Sequence, residues 1–205
     1  MKIPAGFDYE KRLWDQGIRL VVGIDEVGRG AWAGPVVAAA VIFPPFSEFS
    51  FEIFESKLLP PKSREKLSKK LEKVAKIGIG EVDVPTINKI GIGKASQKAF
   101  RKAVMQVEGA CDYYLIDAFY IKYWSKQNQL PIKHGDRLCA SIAAASIVAK
   151  VYRDRLMKKL AGKYPQYGFE KHKGYGTMLH RQSIGKFKLS DIHRRSFNLE
   201  PYLNG

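Results

Sequence analysis

The chain has 205 residues, 45% of them hydrophobic, enough to fill the core of one large domain or of a domain with an appendage, and too apolar for a disordered chain. Lys and Arg number 35 against 20 Asp and Glu, a formal charge of +15, so a polyanionic partner is the first inference, nucleic acid ahead of an anionic membrane surface. Two cysteines with no close pair and four scattered histidines give no zinc-site spacing and suit a reducing, cytoplasmic setting; no run approaches transmembrane length, and the N-terminus lacks the apolar stretch of a secretion signal.

Phe7 to Ile18 mixes aromatic and charged positions and is expected to form a short helix against the body. Leu20-Val21-Val22 begins a strand with the β-branched weighting of a buried position, running to Ile24. Asp25 and Glu26 stand at its end, where two ionised carboxylates repel each other and lose hydration unless a cation or several donors compensate. Gly28 and Gly30 then let backbone N–H groups approach a ligand closely, with Arg29 between them. Carboxylates to hold a metal beside amides and an arginine to hold a phosphate suggest phosphoryl-transfer chemistry. An Asp-Glu pair at a strand end, taken alone, is more often a solvated turn. Gly28 to Ala33 also fits a dinucleotide-binding loop, but that loop must open a helix at the pyrophosphate. Here Gly34-Pro35 leads instead into Val36 to Phe43, a second strand, and the acids would repel the pyrophosphate.

Pro44-Pro45 closes that strand, and the segment to Phe54 is loop-like, with phenylalanines suited to packing across a sheet edge. A helix is expected from Ser63 to about Lys76, with Leu67, Leu71 and Val74 on one face. Ile77 to Val84 alternates as a third strand, and Pro85-Thr86 leads into a helical stretch carrying Ala95, Ala99, Ala103 and Val107. The basic residues on its other side, Lys94, Lys98, Arg101 and Lys102, read as a solvated face. Tyr113 to Ile116 is a strand ending directly in Asp117, which repeats the pattern at Asp25; adjacent strands would bring the acids to one sheet edge. Leu130 to Lys133 is a short fifth strand, after which His134-Gly135-Asp136 opens an alanine-rich helix, Ala140 to Lys150, continued from Tyr152 to Gly162. Asp136 by itself is only a residue favoured near a helix N-terminus. Tyr167 to Thr177 is basic, aromatic and glycine-punctuated, a composition that suits either backbone tracking on nucleic acid or inward-packed rings, and Thr177 is placed to cap a final helix toward Lys186.

Asp-Glu-Val-Gly-Arg-Gly at 25–30, followed by Ala-Gly-Pro-Val-Val-Ala-Ala-Ala-Val-Ile, resembles the first motif of the ribonuclease HII family, within the type 2 ribonucleases H. Ser141 through Val151, Lys-His-Lys-Gly-Tyr-Gly-Thr at 171–177 and Ile192 to Phe197 resemble its later motifs, so the likeness spans Leu20 to Phe197 in order. Three positions depart from the family pattern: Glu55 for an aspartate, Ala118 for a glycine and His134 for a lysine. The resemblance implies an α/β, ribonuclease H-like fold, a mixed five-stranded sheet flanked by helices, with a C-terminal helical extension; residues 1–160 would be the catalytic domain and 161–205 the basic extension. It implies an endoribonuclease that cuts 5′ to ribonucleotides embedded in duplex DNA, and the RNA strand of RNA–DNA hybrids, leaving 5′-phosphate and 3′-hydroxyl ends. Asp25, Glu26, Asp117 and Asp136 would be the catalytic and metal-holding acids for Mg2+ or Mn2+. Gly28, Arg29 and Gly30 would meet the ribose 2′-OH; Ser56, Lys57 and Lys173 would contact phosphates; Tyr175 would sit against the next nucleotide's sugar. A monomer without membrane contact is expected, and a sliding-clamp partner is left open. Only about twenty residues precede the first strand, too few for the N-terminal domain of the related ribonuclease HIII. The alternative from another class is a non-catalytic nucleic-acid-binding protein of the same fold, against which the presence of all four acids argues.

Overall fold

Val21–Val27 (β1) forms the centre of the sheet in the computed structural model, which describes residues 3–107 and 111–203. Val36–Ile42 (β2) returns antiparallel to it, pairing Ala39 with Asp25 and Ala38 with Glu26, and Lys76–Val82 (β3) adds antiparallel to β2 at one edge. On the other side Tyr113–Asp117 (β4) lies parallel to β1, and Gln129–Ile132 (β5) parallel to β4. The sheet order is therefore β3-β2-β1-β4-β5, mixed and five-stranded, as the sequence implied. The β1–β4 pairing matches Ile24 with Ile116, so the next residues along each strand, Asp25 and Asp117, stand abreast.

Helices cover both faces. Val22, Ile24, Val36, Ala38 and Ala40 point to the face covered by Val84–Ile90 (α3) and Ile92–Val104 (α4). Alternate residues Val37, Ala39 and Val41 point to the face covered by Pro61–Val74 (α2) and Ala140–Lys163 (α6). Asp8–Asp15 (α1) and the single-turn Gly135–Leu138 (α5) flank the β4–β5 side, while Phe169–His172 (α7) and Met178–Phe187 (α8) follow α6. The amino half of α6 is alanine-rich and buried on nearly every side, so it can lie close on the sheet. Gly23 makes that approach feasible: a Cβ there would stand 2.2 Å from the Ser141 carbonyl carbon.

Three elements differ from the sequence reading. The first strand, expected to end at Ile24, runs to Val27 and takes in Asp25 and Glu26, because both still pair with β2. The helical stretch after β3 divides at Gly91, whose φ of 78° breaks the helix between α3 and α4. Asp136 does not open the long helix but sits in α5, because Cys139 is extended (φ −117°, ψ 123°) and separates the two. The start of α6 is instead held from α1: buried Glu10 accepts from the Ser141 N–H at 2.7 Å, placing a carboxylate at the helix N-terminus. The continuation of that helix past residue 151 is as expected, giving one helix of 24 residues. Phe49 and Phe51 stack with centroids 5.1 Å apart, and Phe49 packs on Phe43, close to the expected edge packing.

Candidate active site

Strand register brings the carboxylates together. Asp25 and Glu26 belong to β1 itself, Asp117 is the last residue of β4, and Asp136 is carried in by α5 just after β5. All four line one cavity of about 250 Å³, whose wall also includes Gly28, Arg29, Gly30, Ser56, Lys57 and Tyr175. Every residue expected at the site is therefore on that wall except Lys173, whose ammonium donates to the Glu170 carbonyl.

Burial of so much negative charge shows in the protonation behaviour. Burial pushes the Asp25 carboxyl well above the ordinary carboxylate range, and the Glu26 and Asp117 charges push the same way, against hydrogen bonding from the Ser146 hydroxyl and the Glu26 N–H. Burial likewise raises Glu26 to about 7, although Arg29 pulls it down. Asp136 is raised by burial and then by Asp117, with Lys57 opposing. Each acid meanwhile has a local partner. Asp25 Oδ1 accepts from the Glu26 N–H at 2.7 Å and Asp117 Oδ1 from the Gly135 N–H at 2.8 Å. Arg29 lies 3.4 Å from Glu26, and Lys57 3.9 Å from Asp136. Among the described residues no three carboxylates, imidazoles or thiols already form a closed ligand group. The donor set still fits a hard divalent cation: four carboxylates of one sign share a small cavity, and a cation there would offset the repulsion among them.

The rim is set by backbone geometry and by two buried guanidinium groups. Gly28 has φ 90°, and a Cβ there would lie 2.0 Å from Arg153 Nε, so the turn requires glycine. Gly30 has neither constraint, since a Cβ would meet nothing within 4 Å; its bare backbone simply leaves the cavity wall open. Arg153 of α6 donates to the carbonyls of Pro35, Ala33 and Lys173, while Arg194 donates to those of Gly34 and Arg29. Together they tie the 29–35 loop to the segment bearing Tyr175. The Trp32 N–H reinforces the tie by donating to the Gly174 carbonyl at 2.8 Å. The Tyr175 ring is half-buried, 5.4 Å from the Arg153 guanidinium.

The positions that depart from the family pattern are accommodated locally. Glu55 is buried and bridges to Arg137 at 2.9 Å and to Lys57 at 3.9 Å. Ala118 and His134 both adopt left-handed backbone, with φ of 60° and 58°. Ser56 is 3% exposed, and its hydroxyl is 2.9 Å from the Ser146 hydroxyl. Sequence reasoning missed two polar lining residues, Ser146 and Lys150 of α6. A signal existed: they are the polar residues four apart in an otherwise alanine-rich helix, hence on one face.

A sheet of this order, with acids on its two central parallel strands and helices on both faces, is the ribonuclease H-like architecture. The ribonuclease H2 from Pyrococcus horikoshii OT3 superposes with a TM-score of 0.75, at 22% identity, covering 90% of this chain and 99% of that one. The ribonuclease HII family model matches residues 22–200. The ribonuclease HII of Caldanaerobacter subterraneus is 46% identical over 96% of this chain and 81% of its own length; that of Dehalococcoides mccartyi is 45% identical over 95% and 93%. The chain belongs to the ribonuclease HII family and is an endoribonuclease of the ribonuclease H type.

Proposed function

We propose that the protein hydrolyses the phosphodiester 5′ to a ribonucleotide embedded in duplex DNA, and the RNA strand of RNA–DNA hybrids, giving 5′-phosphate and 3′-hydroxyl ends. The observation that carries this reading is the single cavity in which four carboxylates, the Gly28–Gly30 backbone, Lys57 and Tyr175 share a wall. Asp25, Glu26, Asp117 and Asp136 hold one or two divalent cations, Mg2+ or Mn2+. When bound, these supply Lewis-acid activation of water and neutralise charge developing on the leaving oxygen. Bst-RNase HIII, 16% identical with a TM-score of 0.65, has been solved in complex with Mn2+, which supports a divalent ion on this fold.

The remaining roles follow from what each group can donate. Gly28, Arg29 and Gly30 face the ribose 2′-OH, the group that separates RNA from DNA. Lys57 is 77% exposed at its side chain, held only at 3.9 Å by Glu55 and Asp136, and is free to swing to a phosphate. Ser56 anchors the turn that carries Lys57, and Lys173 meets a phosphate further from the scissile bond. Tyr175 packs on the sugar beside the ribonucleotide and favours a deoxyribose there.

Residues 1–160 act as the catalytic domain, and 161–205 as the extension that brings Tyr175 to it. The protein works as a cytoplasmic monomer; among the described residues no helix is long and apolar enough to cross a membrane. A clamp contact is a further reading, supported by the PCNA:RNase HII complex from Archaeoglobus fulgidus, 21% identical with a TM-score of 0.67. The test is cleavage of a duplex containing one ribonucleotide, with an all-DNA duplex as control. Metal-dependent cutting on the 5′ side of the ribonucleotide, with the control intact, is expected. Equal cutting of both duplexes contradicts the reading.

A further inference from the structure

Ser146, Lys150 and Asp154 follow one another at four-residue spacing along α6 and so form a polar stripe on one face. Each is engaged with the same opposing segment or with its neighbour. The Ser146 hydroxyl meets that of Ser56 at 2.9 Å. Lys150 Nζ donates to Asp154 Oδ1 at 2.6 Å, and Arg64 Nη1 donates to Asp154 Oδ2 at 3.3 Å. Arg64 also donates through Nε to the Ser56 carbonyl and through Nη2 to the Leu59 carbonyl, both at 2.9 Å, which fixes the turn carrying Lys57.

Two cations therefore share one carboxylate. Arg64 and Lys150 count two positive charges against one negative on Asp154, leaving a surplus of one. The trio is poorly hydrated, with side-chain exposures of 9% for Arg64, 17% for Asp154 and 21% for Lys150. Within the trio that charge has no direct ion-pair partner, which leaves it available to an anion entering the cavity. The surplus is not evenly presented: Arg64 is committed to two carbonyls, whereas Lys150 lies on the cavity wall beside the four acids. Among the described residues its ion pair is with Asp154, not with any of those acids.

We propose that Lys150 is a further substrate-binding residue, its ammonium meeting a non-bridging oxygen of a backbone phosphate, with Asp154 and Arg64 as positioning residues. The proposal rests on the reading of the cavity as a phosphodiester site. It adds a second cation, opposite in origin to Lys57: Lys57 comes from an exposed turn, Lys150 from a rigid helix. Arg64 couples the two, since it grips the Lys57 turn and the Lys150 anchor at once.

The test is binding of a one-ribonucleotide duplex in EDTA, without turnover, over a range of KCl concentrations, by wild type, Lys150→Met and Lys150→Arg. Neutralising one phosphate contact lowers the slope of log affinity against log salt by about 0.9. Lys150→Met is expected to show that loss of slope, with affinity about tenfold lower at low salt whatever the base sequence, and Lys150→Arg to recover the slope. An unchanged slope accompanied by a lower melting temperature makes Lys150 a structural ion-pair member and overturns the proposal. Absence of salt-dependent duplex binding in the wild type overturns the nuclease reading along with it. Should Lys150→Met not fold, Asp154→Asn keeps the ammonium but loosens it; KM is then expected to rise with the slope retained, and an unchanged KM overturns the proposal.

Discussion

Glu26 shows what a carboxylate buried on the cavity wall does to stability. Burial raises its carboxyl from 4.5 to about 7, against the pull of Arg29. Folding therefore favours the protonated form. Below about pH 4.5 both folded and unfolded chains carry the proton, and the residue costs nothing. As pH rises through 4.5 toward 7, the unfolded chain releases the proton first, and stability falls. Glu26→Gln removes this penalty, and in the absence of divalent cations it is expected to stabilise the protein by about 1–3 kcal/mol at pH 8 and hardly at all at pH 4. Thermal melts at the two pH values check it; an equal gain at both would place the cost elsewhere. Ala118 is a second residue under strain. Its φ of 60° is left-handed, and the Phe119 N–H bonds back to the Asp117 carbonyl at 2.8 Å across it. Ala118→Gly is expected to raise stability by about 0.5–1 kcal/mol, measured as a higher urea midpoint. A loss instead would mean that the methyl group packs usefully.

At the scale of elements, the segment bearing Tyr175 is held by neutral histidines whose tautomers follow from their partners. His180 Nδ1 must donate to the Tyr175 carbonyl at 3.0 Å, so its Nε2 accepts from His193 Nε2 at 3.0 Å. His193 Nδ1 is then free to accept from the Ser190 N–H and hydroxyl. Burial lowers His180 to about 3 and His193 to about 4, so the folded protein refuses protons that the unfolded chain takes up below about 6.5. These folded-state values are depressed, and the histidine contribution to stability is lost as pH falls from 6.5 toward 4. His193→Gln is expected to cost about 1–2 kcal/mol at pH 7.5, through broken hydrogen bonds, and to lose or reverse that deficit at pH 4.5. Urea unfolding at both pH values decides; a deficit that grows on acidification contradicts the neutral pair.

Tyr175 is the ring this network positions. Tyr175→Ala is expected to reduce cleavage at a single embedded ribonucleotide far more than within a continuous RNA strand, with the fold retained. Equal impairment on both substrates together with a large drop in melting temperature would return the ring to a packing role.

The elements that were legible in the sequence are those whose signal is local. The apolar runs of β1, β2 and β4, and the carboxylates that follow the runs of β1 and β4, can be read from adjacent residues. Thr177 as the cap of α8 could be read in the same way, and it accepts from the His180 N–H. What was not legible depends on partners far along the chain. Glu10 holds the start of α6 across 131 residues, and Arg153 reaches the Ala33 carbonyl across 120. In sequence these are ordinary charged helix residues; only the fold shows that they are buried and bonded to distant backbone groups. Asp25, Glu26 and Asp117 stood out because each adjoins an apolar run, whereas Asp136 stood out only through the family resemblance. Ser146 and Lys150 share a helix face by their spacing, but the sequence leaves open which way that face turns, so their place on the cavity wall was not legible.

For the whole molecule, the formal charge of +15 and the acid-lined cavity pull in opposite directions. The surface attracts a polyanion, whereas the cavity repels its phosphates until cations intervene. This division separates binding from chemistry. Loss of one acid should leave the duplex bound through lysines and backbone amides while the reaction stops. The most direct measurement is cleavage of a duplex with one ribonucleotide by wild type, Asp25→Asn and Asp117→Asn in Mg2+ or Mn2+, with binding of the uncleaved duplex followed alongside. Both variants are expected to bind the duplex as the wild type does and to cut nothing. Normal turnover in either variant would show that the chemistry lies elsewhere on the molecule.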